Sequence, residues 1–390
     1  MSLLAFNKLM FEKQRRITSS RLLFPCSSLS LQRTETRYCA RISALRKIAH
    51  RSRFPDSYLK PHAILLAGGT TPYRNDTDRE LSFRQESNFF YLTGCNVPGS
   101  YFLALYDDTS SAPPHSQEYP VKTTLYIFEP TVDYLLWSPP PPTLEEARDL
   151  FQVDGIEHLD KLVSTIAQLP QETVIHILPQ TEQFPNAALS EIDGLNVAWQ
   201  SFSAKTTQYL LPALHSTRLI KDQYEVALIR KANDISSRAH EVVMHVLGLA
   251  VSGRIEKRSS RVPLLPGEWL IEKEAEAEAI FVASCRREGL VISFRLSQKC
   301  ISHFDYSAAQ QAYLPIVAAS TRASTLHYCC NDRGFAWGPV HYRDTANTGL
   351  LHVHSLDPRK GEDKELLPQV LLIDAGCEWD CYSSDSKYRF

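Results

Sequence analysis

Short apolar runs, each ended by turn residues, fix what the first half of this chain can fold into. AILLAGG from Ala63, FFYLTG from Phe89, SYFLALYD from Ser100 and TTLYIFEP from Thr123 are rich in aromatic and β-branched residues, which is the composition of strands, and Gly68-Gly69 supplies a turn after the first. The proline run Pro139 to Pro142 cannot lie inside a helix. Thr143 follows as an N-cap with Glu146 three residues on, a capping box that starts a helix through Ala147, Leu150 and Phe151. TVIHILP around Ile175 and NVAWQSF around Trp199 add further strands. Strands alternating with helices predict a sheet covered by helices, an α/β domain.

Near Leu211 the periodicity changes from two to three and four. From Asp222 to Val246, Tyr224, Ala227, Leu228, Ala232, Ile235, Ala239, Val242, Val243 and Val246 recur as the inner stripe of an amphipathic helix. Asp222 and Glu225 sit in its first turn, where the helix dipole favours acids. His240 falls on the inner side and is expected to be a hydrogen-bonded core histidine. A second helix is predicted from about Glu272 to Arg287, with Ala275, Ala279, Phe281, Val282 and Cys285 facing inward.

A chain of 390 residues with 43% hydrophobic content has room for about two domains. Its 42 Lys and Arg against 44 Asp and Glu leave a net charge of -2, which calls for no nucleic acid or membrane partner. Nine cysteines without a CxxC pair read as reduced thiols, with Cys377 and Cys381 as core or turn thiols. No apolar run reaches the ~18 residues of a transmembrane helix, so a soluble, cytoplasmic protein is expected. Residues 1–50 are rich in Arg and Ser and poor in acids, the composition of a mitochondrial transit peptide; a basic extension or a gene-model artefact fits as well. Either way they are left outside the fold.

Four blocks carry a resemblance. FRQESNFFYLTGC, Phe83 to Cys95, resembles the amino-terminal domain of the Xaa-Pro aminopeptidase and prolidase family, peptidase family M24B; STRLIKDQYEVALIRKANDISSRAH, Ser216 to His240, resembles the start of its catalytic domain. AYLPIVAASTRASTLHYCCND, Ala312 to Asp332, and LLPQVLLIDAGCEWDCYSSD, Leu366 to Asp385, are similar to the middle of that domain. The resemblance implies a creatinase-type, RNase H-like α/β domain over 51–205, then an α+β pita-bread metallopeptidase domain over 206–390.

The residues themselves point to hard-metal chemistry. LLPQVLLID reads as a strand delivering Asp374 at its end, Ala375-Gly376 permits a tight turn, and CYSSD can return as the neighbouring strand. Asp385, eleven residues after Asp374, can then lie beside it. Paired carboxylates suit Mn²⁺, Mg²⁺ or Ca²⁺, and a bridging carboxylate can hold two cations roughly 3.5–4 Å apart. Taken singly, Asp374 closes an ordinary turn and Asp385 is a solvated strand-end acid. With the resemblance, both become metal ligands and Mn²⁺ the cofactor, two ions per complete site. His327 in STLHY matches the family's substrate-facing histidine, a hydrogen-bond donor to the developing oxyanion. The implied substrates are peptides with proline at the second position, whose scissile nitrogen is tertiary and leaves as a secondary amine needing a proton. Dipeptides only, the prolidase reading, are the near alternative, and a homodimer is an allowed assembly.

The sequence also departs from the family. Five ligands are implied, and the histidine of an H-x-x-G-H-type stretch and two glutamates follow the second aspartate; after Asp385 come only Ser386, Lys387, Tyr388, Arg389 and Phe390, in place of an S-D-x-T-R-T-like continuation. A C-terminally truncated catalytic domain is therefore expected, with weak Mn²⁺ binding and poor turnover. Residues 248–271 and 290–308 read as atypical insertions, the first broken by Pro263, Pro266 and Gly267, the second alternating like a lone exposed strand. His352 and His354 precede a charged loop and are expected to be solvated. A pita-bread protein that binds peptides without catalysis, and a metal-free creatinase-like enzyme, are the readings that compete.

Overall fold

The computed structural model describes residues 61–106, 121–151, 153–179, 194, 205–251, 271, 273–293, 309–335, 337–339, 341–343, 351–353, 364–366 and 370–389. Residues 1–50 and the strand expected around Trp199 lie outside them.

The first half builds one six-stranded mixed sheet. Its strands are β1 (His62–Ala67), β2 (Tyr101–Tyr106), β3 (Val121–Ile127), β4 (Gly155–His158), β5 (Val174–His176) and β6 (Lys205–Thr206), in the order β4-β3-β2-β1-β5-β6. β2 pairs antiparallel with β1 and β3, whereas β4, β5 and β6 join in parallel. β1 is buried along its whole length, because both faces are covered. Ile64 and Leu66 pack with Phe102, Phe89 and Leu214 on one side; Ala63 and Leu65 pack with Tyr126, Leu162 and Ile166 on the other. A strand buried on both faces loses its polar alternation and reads as a continuous apolar run.

The helices of this half are α1 (Ser87–Thr93), α2 (Val132–Trp137), α3 (Leu144–Leu150), α4 (Asp160–Ala167) and α5 (Leu210–Arg218). α3 opens with the expected capping box: Thr143 accepts from the Glu146 N–H, and Glu146 accepts from the Thr143 N–H at 2.9 Å. FFYLTG, expected as a strand, is α1 instead. Glu86 caps it by accepting from the N–H groups of Asn88 and Phe89 at 3.0 and 2.6 Å, and Gly94 ends it at φ 65°. All but its first residue are buried, so no polar stripe betrays the helical period.

The second half begins with two long helices, α6 (Gln223–Val251) and α7 (Glu274–Ser293). Ala232, Ile235, Ala239 and Val243 of α6 meet Ala277, Phe281 and Cys285 of α7 in one core. Ala227, Val242, Ala275 and Ala279, expected inward, are exposed. For α7 the cause is Glu274, whose fully buried carboxylate fixes the rotation of the helix. It accepts from Ala319 N–H at 2.9 Å, from Arg322 Nε at 2.8 Å and from Tyr328 O–H at 2.8 Å. Both helices run past their expected ends, into the first residues of 248–271 and 290–308; the remainder of those intervals lies outside the described residues, apart from Ile271.

Two three-stranded sheets lie against these helices. β7 (Gln310–Gln311), β14 (Cys377–Trp379) and β15 (Tyr382–Ser383) form one; β8 (Ile316–Ala319), β13 (Leu371–Asp374) and β16 (Lys387–Arg389) form the other. Between them in sequence, β9 (Trp337–Pro339) pairs with β12 (Lys364–Leu366), and β10 (His341–Arg343) with β11 (Leu351–Val353). His352 falls in β11; His354 lies outside the described residues. The halves touch where Arg84 Nε pairs with Glu378 at 2.8 Å and Gln310 Nε2 donates to Phe83 O at 3.3 Å.

Candidate metal centre

β13 carries its apolar residues into the core and ends on Asp374, which is only 7% exposed. The strand lies between β8 and β16, with Asp374 opposite Ile316 on one side and Lys387 on the other. The chain then passes from this sheet into β14. Ala375-Gly376 is therefore a crossing between sheets, where a tight turn was expected: Ala375 N–H donates to Ser386 O at 3.0 Å and Ala312 N–H to Gly376 O at 3.0 Å. Gly376 is required by space, since a Cβ there would stand 2.0 Å from Ser384 O.

β14 turns back as β15 through Asp380 and Cys381, both at positive φ, 48° and 61°. CYSSD does return as a strand, but beside β14, and the neighbour of β13 is β16. Asp385 sits in the link from β15 to β16. That route still brings the two carboxylates together. The Tyr313 hydroxyl donates to Asp374 Oδ1 at 2.7 Å and lies 3.1 Å from Asp385 Oδ1. One hydroxyl has one proton, so the two oxygens share it, and they are no farther apart than the sum of those distances. Burial, then the neighbouring carboxylates, push the Tyr313 phenol well above its ordinary pKa. On the other side, Lys387 Nζ pairs with Asp374 Oδ2 at 3.0 Å, and that carboxylate raises the ammonium pKa.

Behind the carboxylates stands His240, as expected a buried and hydrogen-bonded residue. A carbonyl only accepts, so His240 Nε2–H donates to Ala375 O at 3.0 Å. The ring packs against Phe281 and Tyr388 at 4.7 and 4.4 Å, and burial lowers its pKa. The hairpin is tied to α6 by Tyr382 O–H, which donates to Glu225 at 2.9 Å, while Glu225 and Asp222 cap the helix reciprocally.

His327 is exposed, just after the short 3-10 turn Ser320–Ser324. Its carbonyl accepts from Cys329 N–H at 3.1 Å, and its imidazole makes no hydrogen bond to either aspartate among the described residues. Tyr313, Lys387 and Glu274 are site and scaffold residues that sequence reading did not single out. Tyr313 lies sixty-one residues before Asp374, and no local pattern marks it.

Two converging carboxylate groups are hard oxygen donors, and that donor chemistry fits a divalent ion as far as it goes. No cluster of three or more His, Cys, Asp and Glu that could hold a metal is present among the described residues. No helix among them is long and apolar enough to cross a membrane.

The fold is that of a creatinase-type α/β domain followed by an α+β pita-bread domain. Comparison with known proteins agrees. Residues 47–176 match the aminopeptidase P N-terminal domain, and residues 227–390 match metallopeptidase family M24. A Podospora anserina protein named "Probable Xaa-Pro aminopeptidase PEPP" is 31% identical over 327 residues, 84% of this chain and 52% of its own length. A Metarhizium robertsii protein named "Probable Xaa-Pro aminopeptidase pepP" is 31% identical over 351 residues, 88% and 56%. Among solved structures, Pseudomonas aeruginosa aminopeptidase PepP superposes with TM-score 0.55 at 21% identity, over 91% of this chain and 61% of that one. Escherichia coli aminopeptidase P gives 0.54 at 17%, over 89% and 61%. These matches set an aminopeptidase P N-terminal domain ahead of a family M24 metallopeptidase domain, and the chain spans about half the length of the curated relatives it matches.

Proposed function

We propose that this sequence belongs to a metal-dependent Xaa-Pro aminopeptidase, an enzyme that removes the N-terminal residue of peptides whose second residue is proline. The single observation that carries the reading is the meeting of Asp374 and Asp385 on the Tyr313 hydroxyl. Asp374 and Asp385 are the ligands this chain offers, to Mn²⁺ as one of the hard ions their oxygens suit, two ions in a complete site. When bound, such cations supply Lewis acidity to the scissile carbonyl and to the attacking water.

The chain's own residues do the rest. Tyr313 keeps the two carboxylates converged, the arrangement in which they would hold a cation. His240 and Gly376 hold the backbone between them, so the oxygens are set before the ion arrives. His327, exposed and so open to a ligand, donates to the oxygen that gains charge as the carbonyl is attacked. In the domain plan we propose, 51–205 forms the first domain, 206–390 the catalytic domain, and 1–50 a separate basic extension. A cytoplasmic, homodimeric protein acting on peptides completes the reading.

Lys387 favours one competing reading. An ammonium already on Asp374 supplies a positive charge without metal, as a non-catalytic peptide-binding protein would need. One experiment separates the two. Residues 1–390 are fused in frame to the C-terminal remainder of the Podospora anserina relative, and hydrolysis is followed with Mn²⁺ on proline-second and alanine-second peptides. The aminopeptidase reading predicts release of the first residue from the proline-second peptide alone, lost in Asp374→Asn and in Asp385→Asn. Turnover that survives both substitutions refutes it, and metal-independent peptide binding without turnover establishes the alternative.

A further inference from the structure

Cys329 and Cys330 are adjacent free thiols, and both are exposed. The other described cysteines behave differently: Cys95, Cys285 and Cys377 are buried, and burial pushes Cys381 up to about 12. The segment bearing the pair is pinned at each end. On one side Tyr328 O–H donates to the buried Glu274 at 2.8 Å. On the other, Asn331 is 2% exposed at φ 47°; it accepts from Val317 N–H at 2.9 Å and donates to Glu278 and Pro315 O, each at 2.8 Å. The two thiols therefore stand side by side on a short surface span whose ends are hydrogen-bonded to the core.

We propose that Cys329 and Cys330 form a vicinal dithiol modification site, which closes to a ring disulfide by exchange with low-molecular-mass disulfides. One thiol, as its thiolate, attacks a sulfur of the external disulfide; a new S–S bond forms, the old one breaks, and the first external thiolate leaves. The second thiol, as its thiolate, attacks the mixed disulfide and expels the other external thiolate. Two protons pass from the protein thiols to the two departing thiolates. The protein pair is oxidised by two electrons and the external disulfide is reduced by two.

Geometry makes the closed form labile. Adjacent Cα atoms stand about 3.8 Å apart across a trans peptide, short of the roughly 4.4–6.8 Å that disulfides prefer. The ends pinned at Tyr328 and Asn331 leave the 329–330 peptide to absorb the difference, and strained, exposed disulfides are the readily reduced ones. The site is thus reversible, and it does not depend on the peptidase reading.

The test uses the folded 390-residue chain, freed of reductant, exposed to oxidised glutathione and digested without reduction. Trypsin releases Ala323–Arg333, which carries both thiols and no other cysteine. Its expected mass is lower by two hydrogens, with recovery of the original mass on adding dithiothreitol, while the peptides bearing Cys95, Cys285 and Cys377 stay reduced. Phenylarsine oxide is expected to bridge the pair with loss of one water. In Cys329→Ser, the same peptide is expected to carry one glutathione on Cys330 and no arsenical bridge. Two separate glutathione adducts on the native peptide, or thiols that stay reduced like the buried ones, would overturn the proposal.

Discussion

Gly376→Ala tests whether one close backbone approach sets the carboxylate pair. The added Cβ would meet Ser384 O at 2.0 Å and Ser384 C at 2.8 Å, where real Cβ contacts essentially never fall below 3.0 Å. Ser384 therefore has to withdraw by about 1 Å, the difference between those limits. Three hydrogen bonds are lengthened by that movement: Ser384 N–H to Cys377 O at 2.9 Å, Cys377 N–H to Ser384 Oγ at 3.1 Å, and the Ser236 to Ser384 hydroxyl contact at 2.6 Å. At about 0.5–1.5 kcal/mol each, with some retained in strained form, the expected loss is about 2–4 kcal/mol. Asp385 follows Ser384 directly, so the same shift carries it off the Tyr313 hydroxyl. Urea unfolding gives the stability and Mn²⁺ titration the affinity; both are expected to fall. A variant within about 0.5 kcal/mol of the parent, the range of an ordinary surface change, with unchanged affinity, would refute the reasoning.

Further predictions concern the scaffold and pH. Glu274→Ala leaves Arg322, Tyr328 and the Ala319 N–H without their acceptor, and thermal unfolding is expected to show a loss of about 3 kcal/mol, the lower end for breaking a buried pair; a loss under about 1 kcal/mol would contradict the role given to this carboxylate. His176 is buried against His62 at 3.1 Å, and burial, then His62, lower its pKa to about 3. Its folded pKa lies below the unfolded value near 6.5, so the unfolded chain binds more protons as pH falls between them. That contribution to stability is intact above about pH 6.5 and diminishes on acidification, by up to about 2.7 kcal/mol at pH 4.5. Urea midpoints of the parent should drop across this window and those of His176→Gln should stay flatter; parallel curves would contradict the assignment. Lys387→Thr removes the cation from Asp374 Oδ2 and is expected to raise Mn²⁺ affinity several-fold, read by titration; no change would mean that the ammonium does not compete.

How far the sequence told of this depends on what each element reports locally. β1, β2 and β3 were legible because continuous apolar runs bounded by turn residues have few other solutions. α6 was legible because its stripe persists over many turns, and the Thr143 capping box because its two side chains name their own partners. α1 was not, since Phe89 to Leu92 are all buried and a short, fully buried helix looks like a strand; only Glu86 before it and Gly94 after it carry the signal. The rotation of α7 depended on Glu274, whose partners lie far along the chain. At the site, the spacing of Asp374 and Asp385 was legible. Their strand pairing was not: the Asp380-Cys381 turn uses positive φ without glycine, and the crossing at Gly376 is set by a contact with Ser384. Tyr313 reaches the carboxylates only through the tertiary fold.

The central claim, that Asp374 and Asp385 converge to hold a divalent ion, meets its most direct test in Mn²⁺ electron paramagnetic resonance of the folded chain. Free Mn²⁺ gives a sharp six-line signal that weakens on binding. The parent is expected to reduce that signal and either Asn substitution, at 374 or at 385, to restore it; binding that persists unchanged in both variants would contradict the account.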